Sequence, residues 1–141
     1  MDFRFTKYGF INALWSLIPI FPTWTLFPGL IAAMGLEKIT SNCATGYSIV
    51  LWFSAVAAIG MMIFYGYRLD KIVLKTEREV KRNFRFYCLI LYTLSNTAIL
   101  ITMLGVDLAC YGDGQTLLMC IFSGPLASLV LIAFGFLLDL K

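Results

Sequence analysis

The sequence predicts an all-α membrane protein with four transmembrane helices and both termini in the cytoplasm. Hydrophobic residues make up 60% of the 141 residues and charged residues only 13%, with a mean hydropathy of +0.85, which is atypical of a water-soluble domain. Four stretches reach the roughly 20 apolar residues that a membrane-spanning helix needs. We predict these spans, which form a single domain, at residues 8–27, 47–67, 86–106 and 116–138.

The distribution of basic residues predicts the orientation. Seven of the 11 Lys and Arg residues lie between Arg68 and Arg85, whereas the other two stretches between the spans contain only Lys38. Short loops rich in Lys and Arg stay in the cytoplasm. On that topology the cytoplasmic side has ten basic and five acidic residues (net +5), and the outer side has one and three (net −2). This asymmetry is typical of a bacterial inner-membrane protein.

The first span contains Pro19 and Pro22, and we predict that they kink or break it, because proline removes a backbone hydrogen bond and clashes with the preceding turn. In one interpretation the kink only helps the helix to pack against its neighbours. In the other, the helix is broken for a functional reason. Pro28 and Gly29 are typical of a turn, and the apolar segment at residues 30–36 is expected to lie flat in the outer interface. The span is too long for a signal-peptide core, so we expect it to be retained.

Small and polar residues within the spans predict close helix packing. Spans two and four carry small residues at four-residue spacing, Ser54 with Ala58 and Gly124 with Ser128, which allows membrane helices to approach closely. Asn96 lies near the middle of span three, where an interhelical hydrogen bond is favoured over a ligand contact. The packing occurs within one bundle or within a homo-oligomer.

The basic loop at residues 68–85 predicts a cytoplasmic extension of the second helix. Its uncharged, mostly apolar residues recur at helical spacing with charges between them. These residues are Leu69, Ile72, Val73, Thr76 and Val80. Three roles for the basic side chains stay open. They bind anionic membrane lipids, each contributing about 1 kcal/mol of binding free energy, they dock a soluble cytoplasmic protein, or they only set the topology. The candidate contact residues are Lys71, Lys75, Arg78, Lys81 and Arg82.

The four cysteines divide by their predicted surroundings. Cys43 and Cys110 fall in the two outer loops, which would face an oxidising compartment where disulfides persist. We therefore predict a disulfide between them, with two unrelated free thiols as the alternative. Cys88 and Cys120 fall within spans three and four, where a thiol behaves as a small apolar group.

No catalytic or metal site is predicted. The chain has no histidine, no Cys-x-x-Cys motif and no glycine-rich phosphate loop, so it lacks the commonest general base and the usual redox and phosphate motifs. No ionisable residue lies in the core of a predicted span, whereas ion-coupled transporters usually need one. We expect no enzyme activity, no cofactor and no nucleic-acid partner.

The opening segment Phe5-Thr-Lys-Tyr-Gly-Phe-Ile-Asn-Ala-Leu14 resembles the first helix of GtrA-type proteins, which often reads Phe-x-x-x-Gly-x-x-Asn-x-Leu. Phe5, Gly9, Asn12 and Leu14 fill these places approximately. The resemblance implies a four-helix membrane protein that moves polyprenyl-linked sugars. It covers about ten residues, and of the family's Asn-Phe…Arg…Phe signature after span two only Arg68 has a counterpart.

Three functions fit these observations. The favoured one is a non-enzymatic, oligomeric anchor or sensor subunit of the inner membrane that engages a soluble cytoplasmic partner through its basic loop. Compact four-span subunits of this build occur in bacterial defence systems, including antiviral ones. The alternatives are a GtrA-like flippase or small transporter, and an immunity or exclusion protein that blocks a pore-forming toxin without any cytosolic partner.

Overall fold

The computed structural model describes residues 3–18, 20–105, 110 and 114–140, without the side chains at 16, 17, 114–118 and 120. Within these ranges the chain forms five α-helices and no strand. The helices are α1 (Arg4–Ala13), α2 (Ile20–Thr40), α3 (Cys43–Val73), α4 (Glu77–Leu104) and α5 (Gly114–Asp139). Helices α2 to α5 are long and apolar enough to cross a membrane. The prediction of an all-helical chain with four candidate membrane spans is confirmed.

The first predicted span is not one helix over residues 8–27. Helix α1 ends at Ala13, a short 3₁₀ turn follows at Leu14–Leu17, and Ile18 is extended, with φ −87° and ψ 111°. Helix α2 then runs from Ile20 to Thr40 and is the long apolar helix of this region. We call the segment between α1 and α2 the break. Its Pro19, to which a kink was attributed, lies outside the described residues.

The later prolines lie within α2. Pro22 falls in its first turn, where the backbone N–H that proline lacks has no partner within the helix. The predicted turn at Pro28 and Gly29 is wrong, because α2 continues through both residues. Residues 30–36 belong to the same helix, and their flat position in the outer interface stays a prediction. In hydrocarbon each unsatisfied backbone group costs several kcal/mol, so an apolar segment stays helical and tolerates one proline.

Helix α4 lies at the centre of the bundle and contacts each of the other four helices. Its buried face repeats every four residues through Val80, Phe84, Cys88 and Tyr92. Phe84 belongs to an aromatic cluster that joins α4 to α1, α3 and α5, with ring centroids 5.4–6.0 Å apart. Such edge-to-face and stacked contacts add to the free energy of apolar burial, so this cluster is the main core.

Helix α1 lies antiparallel to α5 with their backbones in close contact, along what we call the α1–α5 seam. A Cβ atom at Gly9 would lie 2.8 Å from the Leu131 carbonyl oxygen, and one at Gly135 would lie 2.6 Å from the Phe5 carbonyl oxygen. Real Cβ atoms do not approach backbone oxygens this closely. The seam therefore requires glycine at both positions.

Asp139, at the end of α5, caps the start of α1. Its carboxylate accepts hydrogen bonds from Phe5 N at 2.9 Å, Thr6 N at 2.7 Å and Thr6 Oγ1 at 2.6 Å. The residue at the N-cap position, Phe3, supplies no side-chain cap. The cap thus comes from the other end of the sequence.

Replacing Asp139 by alanine is expected to destabilise the protein by about 1–2 kcal/mol, because two N–H groups at the start of α1 lose their acceptor and the helix dipole loses a favourable charge. Thermal unfolding of the purified protein in detergent would measure this as a lower Tm. The exposed Asp70 is a matched control. Equal effects of Asp139→Ala and Asp70→Ala would contradict the capping role.

Candidate functional site

The predicted basic loop is a helical hairpin. Helix α3 continues to Val73, residues 74–76 form a turn, and α4 begins at Glu77. We call residues 68–85 the basic hairpin and this end of the bundle the basic end. All five candidate contact residues are exposed on it: Lys71, Lys75, Arg78, Lys81 and Arg82. Seven basic against three acidic residues give the hairpin a net charge of +4.

The apolar stripe of this region does not form one face of a continuous helix, so the predicted extension of helix two is wrong beyond Val73. Leu69 on α3 and Val80 on α4 are both buried in the main core, and Ile72 packs against it. Because the chain reverses between them, these residues hold α3 to α4. Leu74, in the turn, is 87% exposed.

Helix α1 contacts the basic hairpin next to its turn. Tyr8 donates a hydrogen bond from its hydroxyl to Glu77 Oε1 at 3.1 Å, and Arg4 lies 3.9 Å from the same oxygen. Lys81 Nζ lies 5.6 Å from the centre of the Tyr8 ring, within the range of a cation–π contact. These contacts engage Glu77, one of the three acids of the hairpin, and hold the start of α4 against α1.

Asn96 is fully buried and connects α4 to the start of α2. Its Nδ2 donates hydrogen bonds to the Pro22 carbonyl oxygen at 3.0 Å and to Thr25 Oγ1 at 3.1 Å. An amide in hydrocarbon needs such partners. The hydrogen bonds of Asn96 therefore join two helices of the same chain, α4 and α2.

The small residues singled out in spans two and four face the interior of this chain. Ser54, Ala58, Gly124 and Ser128 are all buried. A Cβ atom at Gly124 would lie 2.5 Å from Pro22 Cγ, so α5 approaches the start of α2 closely there. These residues serve packing within one bundle and do not lie on its outer surface.

A cavity of about 310 Å³ lies where the break faces α4 and α5. We call it the break cavity. Its described lining has one cation and no acid, and includes Asn12, Trp15, Phe21, Arg85, Cys88 and Tyr92. Sequence reasoning did not assign this site, because its residues come from segments up to 119 positions apart, Asn12 to Leu131.

Two polar atoms at the break cavity lack hydrogen-bond partners among the described residues. Asn12 Nδ2 is buried beside the Cys88 sulfur, a weak acceptor, and makes no hydrogen bond of good geometry. Tyr92 is buried, and its hydroxyl also has no partner in the described ranges. A buried donor without an acceptor costs about 1–3 kcal/mol. Both atoms are enclosed by protein, so they are not open to an occupant of the cavity.

The opposite end of the bundle contains the predicted disulfide. Cys43 at the start of α3 is bonded to Cys110, with Cα atoms 5.9 Å apart. Asn42 caps α3 by accepting a hydrogen bond from Thr45 N at 3.4 Å. The disulfide and the basic hairpin therefore lie at opposite ends of α3. We call this the disulfide end.

No group of three His, Cys, Asp or Glu side chains that would hold a metal ion is found in the described ranges. Comparison with protein-family models, curated proteins and solved structures finds no match to this chain. The likeness of the opening segment to GtrA-type proteins therefore remains an expectation from about ten residues, and function must be argued from the basic hairpin and the break cavity.

Proposed function

We propose that this chain is a non-enzymatic, oligomeric anchor or sensor subunit of a bacterial inner membrane. Its basic hairpin, on the cytoplasmic side with both termini, binds an acidic soluble protein. Bacterial antiviral defence systems, in which compact four-span subunits hold a cytoplasmic effector at the membrane, are the setting that we favour.

Two independent features support this orientation. The basic hairpin has a net charge of +4, and Lys/Arg-rich segments between spans stay in the cytoplasm. The Cys43–Cys110 disulfide lies at the other end of the bundle, and disulfides persist in oxidising compartments such as the periplasm. Charge and redox chemistry therefore favour the same topology.

The length of α4 supports a hairpin that reaches water. The apolar part of α4 begins at Phe86, so residues 77–85 extend about 13 Å beyond it at 1.5 Å per residue. The headgroup layer is about 5–7 Å thick on each side of the hydrocarbon. The turn at residues 74–76 would then lie outside the headgroups, where a soluble protein can reach it.

The observation that carries the proposal is the exposed leucine at this turn. Leu74 is 87% exposed and is flanked by the exposed cations Lys71, Lys75 and Arg78. In this proposal Leu74 is buried by the partner and contributes apolar contact area, and the surrounding charges steer an acidic partner to it. The buried stripe residues of the hairpin are not available for this contact.

Replacing Leu74 by serine is expected to weaken binding of the soluble partner about tenfold or more, as loss of an interface anchor does. The substitution changes no charge, so the topology is preserved. Co-purification in mild detergent, with mass spectrometry to determine stoichiometry, identifies the partner, and titration measures its affinity.

Ile39→Ser is the matched control, because Ile39 is 79% exposed at the disulfide end. Lys75→Glu with Arg78→Glu should also abolish binding while a reporter fused to the C-terminus stays cytoplasmic. Retention of the partner by the Leu74→Ser protein would exclude this contact. If no stoichiometric soluble protein binds the unmodified chain, the proposal is wrong.

In this proposal, the subunits contact one another through the outer face of α3. The small-residue faces are occupied inside the bundle, whereas Trp52, Phe53, Val56 and Ile63 are each at least 65% exposed. Native mass measurement of the detergent-extracted protein gives the number of subunits directly.

A small transporter or flippase is the second candidate, favoured by the break and its cavity. Transporters often bind substrates where a membrane helix is interrupted, because the interruption exposes polar groups to the site. Here α1 ends at Ala13 and α2 begins at Ile20, and Asn12 and Phe21 from the two sides of the break line the break cavity. Absence of a soluble partner would favour this function.

A further inference from the structure

We infer that the break cavity binds one anionic glycerophospholipid from the cytoplasmic leaflet. Arg85 holds the phosphate of the headgroup, and one acyl chain lies along Phe21 and Tyr92. The site rests on the proposed topology, with the basic end in the cytoplasm, and does not depend on the soluble partner.

The order of the lining residues along α4 matches the order of groups in such a lipid. Arg85 is exposed and directly precedes Phe86, where the apolar part of α4 begins, at the expected level of the headgroups. Cys88 lies about 4.5 Å deeper along the helix axis, and Tyr92 about 10 Å deeper. The phosphate and the acyl chain of the lipid follow one another in the same order.

The charge of the lining favours an anionic headgroup. Arg85 is the one ionisable cation in the described lining, and no carboxylate there would attract the ammonium group of a zwitterionic lipid. One basic side chain near a membrane surface contributes about 1 kcal/mol to the binding of an anionic lipid. This corresponds to about a fivefold preference for phosphatidylglycerol over phosphatidylcholine.

Fluorescence of Trp15 can report occupancy of the cavity. The chain has three tryptophans, and the other two, Trp24 and Trp52, are about 70% exposed. In the double variant Trp24→Phe/Trp52→Phe, Trp15 is the single tryptophan and lines the break cavity. Titration with phosphatidylglycerol brominated on its acyl chains should quench it saturably, and brominated phosphatidylcholine should bind about fivefold more weakly.

Arg85→Gln should weaken binding of the brominated phosphatidylglycerol about fivefold and remove the preference over phosphatidylcholine. Arg82→Gln is the matched control, because Arg82 is an exposed arginine one turn away that does not line the cavity. Equal losses in the two variants would show diffuse attraction to surface charge and overturn the site. Linear, non-saturable quenching would also overturn it.

Discussion

Gly135→Ala is expected to lower the stability of the bundle by about 1–3 kcal/mol, the usual cost of overpacking. The added Cβ would lie 2.6 Å from the Phe5 carbonyl oxygen and 3.0 Å from Thr6 Cα. Both are backbone atoms, and the same segment is held by Asp139, so α1 cannot shift locally to make room. We expect α1 to separate from α5, which thermal unfolding in detergent would detect as a lower Tm.

Gly60→Ala is the matched control for this prediction. Gly60 lies within the membrane-spanning part of α3, and its added Cβ would meet no described atom within 4 Å. Alanine is favoured over glycine in helices by about 1 kcal/mol. The two substitutions are therefore expected to have opposite signs. A Gly135→Ala protein as stable as the Gly60→Ala protein would contradict the close contact along the α1–α5 seam.

Removal of the disulfide has the largest expected effect. The bond joins residues separated by 67 positions, and the chain-entropy model assigns such a crosslink about 4 kcal/mol. We expect the double variant Cys43→Ser/Cys110→Ser to unfold at a clearly lower temperature. A reductant should lower the Tm of the unmodified protein to a similar value.

The double serine variant also provides its own control, because the reductant should not change its Tm. Mass spectrometry of a non-reduced digest of protein from the membrane should contain the Cys43–Cys110 linked peptides. Two freely alkylated thiols would show that these loops face a reducing compartment. That result would contradict both the disulfide and the proposed orientation.

The class of the protein and its disulfide were predictable because both depend on features that are local in the sequence. A run of about 20 apolar residues is costly to expose to water, whichever helices surround it. Cys43 and Cys110 were paired by elimination, since each lies in a loop between spans and the other cysteines lie within them.

The turn of the basic hairpin had a sequence signal that the helical periodicity obscured. Thr76 and Glu79 have the spacing of a capping box, which marks the start of a helix. In the structure α4 begins between them, at Glu77, although Thr76 makes no side-chain cap. The stripe from Leu69 to Val80 appeared continuous because both helices direct their apolar residues to the same core.

The sequence by itself determined that this chain is helical, that four segments are apolar enough to cross a membrane, and which segment carries the positive charge. Each of these properties depends on the composition of a short continuous segment and can therefore be read from the sequence. Only the tertiary structure decided where the first span is broken, that glycines join α1 to α5, and that Asn12 and Arg85 line one cavity. Such features depend on which distant backbones come within a few ångströms, and neither apolar periodicity nor charge encodes those distances.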